Sequence, residues 1–418
     1  MTRHNHAVTY DAYLKYSYLW VELQKCLYKR GYFHNSMITK RASEIPPFIV
    51  MDVLEKAQEM QRRGEDIIHL EVGEPDFDTP ECIREACCRA MRDGKTHYTN
   101  SLGLLELREA ICEHYFDQYN VTISPDQVLV TSGTSPAMLI LFAAILERGD
   151  EVIISDPHYA CYPNFIRFFE GIPVSVNVYE DEGFQYTSEA IKEKITQRTK
   201  GIMINSPSNP TGNLLSAERM AEIASLGVPV ISDEIYHGLV YEDKAHSILE
   251  FTDNAFVFNG FSKTYAMTGW RLGYLIAPKY TIRPMQKLLQ NLFISANSFV
   301  QWGGVTALRE AGGEVVRMRN IYNERRTFLI KRLREIGLGI KVEPTGAFYV
   351  LGNIKSFSND SYKMAFEILE KAKVGVTPGI DFGKNCEGYL RFSYANSLEN
   401  IKEGINRIEK YLKETYKV

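Results

Sequence analysis

The pattern of apolar and polar residues changes along the chain and predicts a layered fold. Residues 47–63 repeat apolar positions at three- and four-residue steps, which predicts a helix, and residues 80–92 and 104–119 predict two more. From about residue 126, short β-branched runs alternate with helix-length segments. The runs are QVLVTSG, DEVIISDP, GIPVSVNVY, KGIMINSP, VPVISDE, AFVFNG and RLGYLIAP. Such alternation predicts a large three-layer α/β/α domain with a mainly parallel sheet and helices on both faces.

Both ends of the chain follow a different pattern. After about residue 310 come a long helix, the strand-like VEPTGAFYVL, a helix near 361–373, LRFSYA and a terminal helix. This mixture predicts a smaller α+β domain formed by both chain ends. We predict that residues 37–75 and 310–418 form the small domain, that residues 76–309 form the large one, and that residues 1–36 are an N-terminal extension of unknown role. A chain of 418 residues is expected to divide because single hydrophobic cores stop growing at about 250–300 residues.

Composition and charge narrow the classes of protein to consider. Hydrophobic residues make up 45% of the chain and charged residues 24%, which is typical of a soluble globular protein. The net charge of −4 gives no reason to expect a nucleic acid or an anionic membrane as partner. No apolar run approaches the roughly 18 residues of a membrane span. Seven cysteines without a CxxC pair predict reduced thiols in a cytoplasmic protein and no metal site.

Polar side chains follow several of the predicted strands, at the sheet edge where ligands bind in folds of this kind. Lys263 comes directly after AFVFNG, and partial burial lowers the pKa of a lysine, so that its amine can attack a carbonyl. A lone lysine in this position is also typical of an ordinary surface charge. Asp233 ends the run VPVIS and can either hold a proton on a heterocyclic nitrogen or cap the next helix. Tyr236 lies three residues further on and can reach the same space.

A second group of residues suits anionic ligands. The turn from Thr131 to Ser135 joins a strand to a helix, and its N–H groups and hydroxyls predict either an anion site or a simple cap. Ser262 and Arg271 can add contacts to a phosphate. In NSPSNPTG two prolines stiffen the backbone around Asn209, which can bond a ligand hydroxyl. Arg391, in LRFSYA, can pair with an acid of the fold or receive a carboxylate.

Taken together, these groups predict a cofactor and a family. An imine-forming lysine, an aspartate for a ring nitrogen, an anion cup and a carboxylate-binding arginine suit pyridoxal 5′-phosphate acting on an amino acid. The motifs GEPDFDTP, HYTNSLG, TSGTSPAM, NSPSNPTG, SDEIYHGLVYE, GFSKTYAMTGWRLGY and LRFSYA stand in this order. Over about residues 38–415 the chain resembles the fold-type I, class I aminotransferases, which depend on pyridoxal phosphate. The resemblance implies amino-group transfer between an L-amino acid and a 2-oxo acid such as 2-oxoglutarate, and a homodimer with sites at its interface.

The resemblance also implies a role for each residue that matches a motif. Lys263 is the expected Schiff-base lysine and proton shuttle. The expected cofactor-binding residues are Lys263, Gly133, Thr134, Ser135, Tyr159, Asn209, Asp233, Tyr236, Ser262, Arg271 and, from the neighbouring subunit, Tyr98. The expected substrate-binding residues are Gly73, Asn209 and Arg391. Among these, Asp233 pairs with the pyridine nitrogen, Asn209 and Tyr236 contact the 3′-oxygen, and Arg391 holds the substrate α-carboxylate.

The amino acid substrate and the reaction have alternatives. Aspartate is the first expectation, with alanine and aromatic amino acids next. In some relatives a second arginine binds the distal carboxylate of aspartate, but the matching stretch has no Lys or Arg between Lys287 and Arg309. Either another cation binds that group or the substrate lacks it. The alternative reactions are a carbon–sulfur β-lyase on the same fold and, more remotely, a non-catalytic regulator that binds pyridoxal phosphate.

Overall fold

The structure is a computed structural model that describes residues 37–416. The chain divides into two compact units, one ending at Pro46 and one spanning Pro47–Val418. The described part of the first unit contains helix α1 (Lys40–Glu44). The predicted N-terminal extension lies outside the described residues. All elements below belong to the second unit, within which the predicted split into a small and a large domain stays a prediction.

A seven-stranded sheet forms the centre of this unit. Its strands in chain order are β2 (Val128–Thr131), β3 (Glu151–Asp156), β4 (Ile172–Asn177), β5 (Thr199–Asn205), β6 (Val230–Asp233), β7 (Ala255–Gly260) and β8 (Gly273–Ile276). Their order across the sheet is β2-β8-β7-β6-β5-β3-β4. Strands β3 to β7 are parallel, whereas β8 runs antiparallel to both of its neighbours. Each of the seven β-branched runs of the sequence therefore forms one strand of a mainly parallel sheet.

Helices cover both faces of this sheet because alternate strand residues point to opposite sides. In β5, Ile202 and Ile204 belong to one apolar cluster and Met203 belongs to the other. The second unit contains α2 (Ile49–Arg62), α3 (Glu81–Arg92), α4 (Leu105–Tyr119), α5 (Thr134–Ile145), α6 (Tyr162–Phe168), α7 (Ser188–Lys192), α8 (Ala217–Ala224), α9 (Lys279–Leu292), α10 (Ser298–Glu310), α11 (Gly312–Glu335), α12 (Ser361–Glu367) and α13 (Leu398–Tyr416). Helices α4 and α10 pack on one face and α5 and α9 on the other. The predicted three-layer arrangement is confirmed.

Two smaller sheets come mainly from the C-terminal third of the chain. The strands are β1 (Ile68–His69), β9 (Tyr349–Asn353), β10 (Val374–Gly375), β11 (Thr377–Pro378) and β12 (Tyr389–Ser393). Strands β11, β12 and β9 form an antiparallel sheet, and β1 pairs in parallel with β10. Helices α11 and α13 share one apolar cluster with these strands. The early and late parts of the chain thus meet in a mixed α+β region, as the sequence pattern predicts.

Short helical turns connect these elements. They are the 3-10 turns Pro125–Gln127, Glu180–Glu182, Ile248–Glu250, Gly379–Phe382 and Lys384–Cys386, and a π-helical turn over Ile368–Ala372. None of the helices within residues 37–416 is long and apolar enough to cross a membrane. The same residues contain no cluster of three or more acidic, histidine or cysteine side chains arranged to hold a metal ion. The six cysteines among them are all free thiols.

Candidate functional site

A cavity of about 360 Å³ lies at the carboxyl ends of the parallel strands. Asn205 and Asp233 end β5 and β6, and Lys263 follows β7 by three residues, so the sheet itself brings these side chains together. The residues predicted from the sequence that line the cavity are Gly73, Thr134, Ser135, Tyr159, Asn209, Asp233, Tyr236, Ser262, Lys263, Arg271 and Arg391. Gly133 adjoins this lining as the residue before α5. Tyr98 is 81% exposed and does not line the cavity of its own chain.

The amine of Lys263 lies inside the cavity and donates a hydrogen bond of 2.6 Å to the carbonyl oxygen of Gly73. The pKa of Lys263 is lowered to about 8, mainly by burial and also by the positive charges of Arg391 and Arg271, while the carboxylates of Glu74 and Asp233 oppose this shift. The cause is the cost of keeping an ammonium group away from water. A minor fraction of this amine, about a tenth at pH 7, is therefore neutral, as a nucleophile or a base requires.

Asp233 faces the cavity as a buried carboxylate with two hydrogen-bond donors. The Tyr162 hydroxyl donates to Oδ2 at 2.7 Å, and the backbone N–H of Ile235 donates to Oδ1 at 3.2 Å. Burial raises the pKa of Asp233 to about 6, and the bonds from Tyr162 and Ile235 oppose this rise. No α-helix follows β6 directly, so the alternative role of helix cap does not apply in this described segment. A carboxyl group with this pKa is mostly ionised at neutral pH and can pair with a protonated ring nitrogen.

A second group of residues in and beside the lining suits an anion. Helix α5 begins at Thr134 without a side-chain cap, so no capping side chain occupies the N–H groups of its first turn and they can bind an anion. Gly133 adopts a φ of 103°, and a Cβ atom there would lie 2.7 Å from Nη2 of Arg271. The Arg271 fork is oriented by donation from Nη1 to the carbonyl oxygen of Thr268 at 2.9 Å. Ser262, which is buried beside them, adds a hydroxyl to this cup.

Arg391 is 2% exposed and, among the described residues, makes no ion pair with an acidic side chain, although the charge of Asp381 is close enough to interact with it electrostatically. Its Nη1 donates to Oδ1 of Asn209 at 2.8 Å, and its Nη2 donates to the carbonyl oxygen of Glu71 at 2.6 Å and to Oγ1 of Thr377 at 3.2 Å. Within residues 37–416, Nε has no hydrogen-bond partner. The fork is thus held by neutral oxygens, and its charge is available for the carboxylate of a ligand.

The turn that carries Asn209 is tied to the same strand ends. Asn205 accepts a bond from the Asn209 N–H at 2.8 Å, and its own amide donates to the carbonyl oxygen of Asp233 at 2.9 Å. Asn209 therefore has a fixed position between the Asp233 strand and Arg391. On another wall, Tyr159 packs edge-to-face against Phe48, with ring centroids 5.9 Å apart.

Several lining residues were not predicted from the sequence. Tyr162 bonds Asp233, and Tyr349 bonds the hydroxyl of Tyr236 at 2.9 Å. Tyr162 lies in the same DPHYACYP segment as Tyr159, and this proximity was the available clue. Tyr349 begins β9, where alternation alone predicts an ordinary packed residue. An apolar wall is also new and consists of Phe48, Val50, Met51, Leu54 and Val72.

Comparison with known proteins places the chain among amino-group transferases. Residues 65–408 match the family model for class I and II aminotransferases. The chain is 43% identical over 381 residues to a (5-formylfuran-3-yl)methyl phosphate transaminase of Methanocaldococcus jannaschii, covering 90% of this chain and 100% of that protein. It is 43% identical over 393 residues to an aspartate aminotransferase of Pyrococcus horikoshii, covering 92% and 98%. A solved structure of Thermus thermophilus aspartate aminotransferase with maleate matches with a TM-score of 0.86 at 37% identity, covering 90% and 100%.

Proposed function

We propose roles for the cavity residues from one premise: the chain belongs to the class I and II aminotransferase family. It is an aminotransferase that uses pyridoxal phosphate and acts on amino acids and 2-oxo acids. The observation that supports the residue roles most strongly is the convergence of Lys263, Asp233 and Arg391 on one cavity. The family match gives the chemistry, and this convergence supports the part that each side chain plays.

The residues present suit the cofactor at each of its polar groups. An uncapped helix start, a glycine at a φ of 103° beside Arg271 and the Arg271 fork itself suit a phosphate. The ionised Asp233 carboxylate suits a pyridinium nitrogen. Asn209 and the hydroxyl of Tyr236 suit the ring oxygen beside the reactive carbonyl, and Tyr159 suits the flat face of the ring. We propose that these residues hold pyridoxal phosphate and that Lys263 bonds to it covalently.

The protein's own groups maintain the charge of the cofactor ring, orient the substrate and move its Cα proton. Bound pyridoxal phosphate withdraws electrons from the substrate Cα and so makes the Cα proton acidic. Asp233 keeps the ring nitrogen charged by remaining ionised beside it. Arg391 holds the substrate α-carboxylate and thereby orients the Cα–H bond towards Lys263. Once the substrate amine has taken its place on the cofactor, the neutral Nζ of Lys263 would remove that proton and would pass it to the C4′ atom of the cofactor, as its lowered pKa allows.

Aspartate is the first amino acid substrate that we propose, because two of the relatives over 40% identical, from Pyrococcus horikoshii and Pyrococcus abyssi, are named aspartate aminotransferases. Alanine and aromatic amino acids come next. In the part of the chain that the structure describes, the cationic residues of the lining are Lys263, Arg271 and Arg391, each with a role already. A distal carboxylate therefore needs a cation from elsewhere, such as a neighbouring subunit, whereas an apolar side chain meets the wall that includes Phe48 and Met51.

A homodimer is part of the same proposal. The ring of Tyr98 is 81% exposed on a loop outside its own cavity, as expected for a side chain that reaches the phosphate site of a second subunit. We also propose a cytoplasmic location and a role in amino acid metabolism, which the composition and the family support.

A half-reaction screen tests the proposed function and identifies the substrate. Each common amino acid is mixed with the pyridoxal phosphate form, and conversion to pyridoxamine phosphate is followed by absorbance. We expect conversion with release of the matching 2-oxo acid, and full reversal by 2-oxoglutarate. Pyruvate formed from cystathionine without any 2-oxo acid acceptor would instead indicate a carbon–sulfur β-lyase.

A further inference from the structure

Tyr349 lines the cavity and contacts two of its polar residues, Tyr236 and Arg391. Its side chain is 1% exposed and its residue lines the cavity. Its hydroxyl shares a hydrogen bond of 2.9 Å with the hydroxyl of Tyr236. Its ring faces the guanidinium of Arg391, whose central carbon lies 4.3 Å from the ring centroid. One side chain therefore touches both the group proposed for the cofactor ring oxygen and the group proposed for the substrate carboxylate.

The hydrogen bond between the hydroxyls of Tyr236 and Tyr349 can have only one direction once the cofactor is bound. A tyrosine hydroxyl has only one hydrogen to donate. When Tyr236 gives its hydrogen to the ring oxygen of the cofactor, the hydrogen between the two tyrosines must come from Tyr349. A hydroxyl that accepts a hydrogen bond becomes a better donor, because consecutive bonds polarise one another. Tyr349 thus strengthens the bond that Tyr236 makes to the cofactor.

The aromatic ring has a separate effect on Arg391. The guanidinium lies between the rings of Tyr349 and Phe382, with centroid distances of 4.3 Å and 4.8 Å. A flat cation held between two rings keeps its plane, and with it the direction of its N–H groups. This contact needs the ring of Tyr349 but not its hydroxyl.

The space around the hydroxyl shows how closely this residue is fitted. A Cβ atom on Gly73 would lie 2.0 Å from the Tyr349 oxygen. The carbonyl oxygen of Gly73 accepts the bond from Lys263. The absence of a side chain at Gly73 therefore lets the Tyr349 hydroxyl approach the segment that contacts the reactive lysine.

We propose that Tyr349 is a positioning residue with two separable parts. Its hydroxyl tunes the proton affinity of the cofactor-linked Lys263 nitrogen through Tyr236, and its ring orients Arg391 for the substrate carboxylate. The proposal rests on the roles proposed above for Tyr236 and Arg391. It extends them by assigning to a residue outside the recognised motifs an effect on both cofactor and substrate.

The first arm of the test is a pH titration of the visible absorbance of the holoenzyme, which reports the proton on the linked Lys263 nitrogen. Stronger donation to the ring oxygen stabilises its negative charge and weakens its hold on that proton. Tyr349→Phe removes the hydroxyl that donates to Tyr236. It should therefore raise the pKa of the linked Lys263 nitrogen by a few tenths of a pH unit. Tyr236→Phe should raise it more. Tyr394→Phe is the matched control, because its hydroxyl donates to the carbonyl oxygen of Ala347 at 3.1 Å and it does not line the cavity.

The second arm separates the effect of the Tyr349 ring from that of its hydroxyl. It measures KM for the amino acid that converts the holoenzyme fastest in the half-reaction screen. Tyr349→Phe keeps the ring and should leave KM within about twofold of wild type. Tyr349→Leu removes the ring and should raise KM about tenfold, with a smaller change in kcat. Thermal melting of each holoenzyme shows whether the variant is folded, and the titration of Tyr349→Phe stands on its own if Tyr349→Leu is not.

The outcomes distinguish failure of this inference from failure of its premise. An unchanged titration in Tyr349→Phe, with a shifted one in Tyr236→Phe, overturns the effect of the hydroxyl. Equal KM values in Tyr349→Leu and wild type overturn the effect of the ring. An unchanged titration in Tyr236→Phe would instead refute the role proposed for Tyr236 itself.

Discussion

At the scale of single residues, burial shifts two pKa values in opposite directions. It lowers the pKa of Lys263 from 10.5 to about 8 and raises that of Asp233 from 3.8 to about 6. Each shift disfavours the charged form of its group. Near pH 7 the site therefore holds an ionised carboxylate together with a partly neutral amine, which are the two states that its proposed roles require.

The bond from Tyr162 to Asp233 gives a pH prediction. That bond lowers the pKa of Asp233, so Tyr162→Phe should raise it above about 6. If the cofactor binds the ionised carboxylate, as proposed, its affinity falls as pH drops through this pKa. In Tyr162→Phe the loss should begin at a higher pH, measured as the dissociation constant of pyridoxal phosphate from pH 5 to 8.

The control for that measurement is Tyr411→Phe. It removes a similar tyrosine–carboxylate bond, from Tyr411 to Oε2 of Glu367 at 2.8 Å, outside the cavity lining. Its pH profile should coincide with wild type. A Tyr162→Phe profile that also coincides with wild type would show that this bond does not set the charge of Asp233.

At the scale of elements, the sequence predicts strands and their ends better than contacts between sheets. All seven β-branched runs form strands, and their ends give Asn205, Asp233 and the Lys263 turn. The antiparallel direction of β8 was not predictable, because a short apolar run carries no direction. Tyr349 was missed because its contact with Tyr236 joins residues far apart in the chain. The sequence left open whether Arg391 pairs with an acid of the fold. The packing answers this, because the hydrogen-bond acceptors of Arg391 are neutral oxygens and it makes no ion pair among the described residues.

The start of α5 gives a prediction about an element boundary. Gly133→Ala places a methyl group 2.7 Å from Nη2 of Arg271 on a backbone with a φ of 103°. We expect the affinity for pyridoxal phosphate to fall about tenfold or more, because backbone strain at position 133 and displacement of Arg271 both disturb the proposed phosphate site. Equilibrium titration of the cofactor-free protein measures this.

Gly64→Ala is the matched control for backbone strain. Gly64 lies just after α2 with a φ of 89°, and a Cβ atom there would have no other atom within 4 Å. The substitution should lower the free energy of unfolding by about 1 kcal/mol without changing cofactor affinity. Equal cofactor affinities in the two variants would argue against a phosphate site at α5.

At the scale of the whole molecule, the proposed dimer predicts complementation between two defective chains. Tyr98→Ala should weaken cofactor binding, and Lys263→Ala should abolish covalent attachment. In a mixed dimer, the intact Lys263 of one chain meets the intact Tyr98 of the other. Refolding the two together should therefore restore wild-type cofactor affinity in one site of each mixed dimer, measured by titration after separation of the species.

The control for complementation is each variant refolded alone. Neither should regain a site with wild-type affinity. Each mixed dimer has one site with an intact Lys263. If that site binds the cofactor as weakly as Tyr98→Ala does, Tyr98 does not act across an interface. A monomer in sedimentation equilibrium would contradict the dimer itself.

The most direct test of the central role, that of Lys263, is chemical. The holoenzyme is reduced with borohydride, which fixes any bond between cofactor and amine, and is then digested for mass spectrometry. We predict a phosphopyridoxyl group on the peptide that contains Lys263, and none on the corresponding peptide of Lys263→Ala. Attachment to another lysine, or no attachment in protein that binds the cofactor, would contradict the assignment of Lys263.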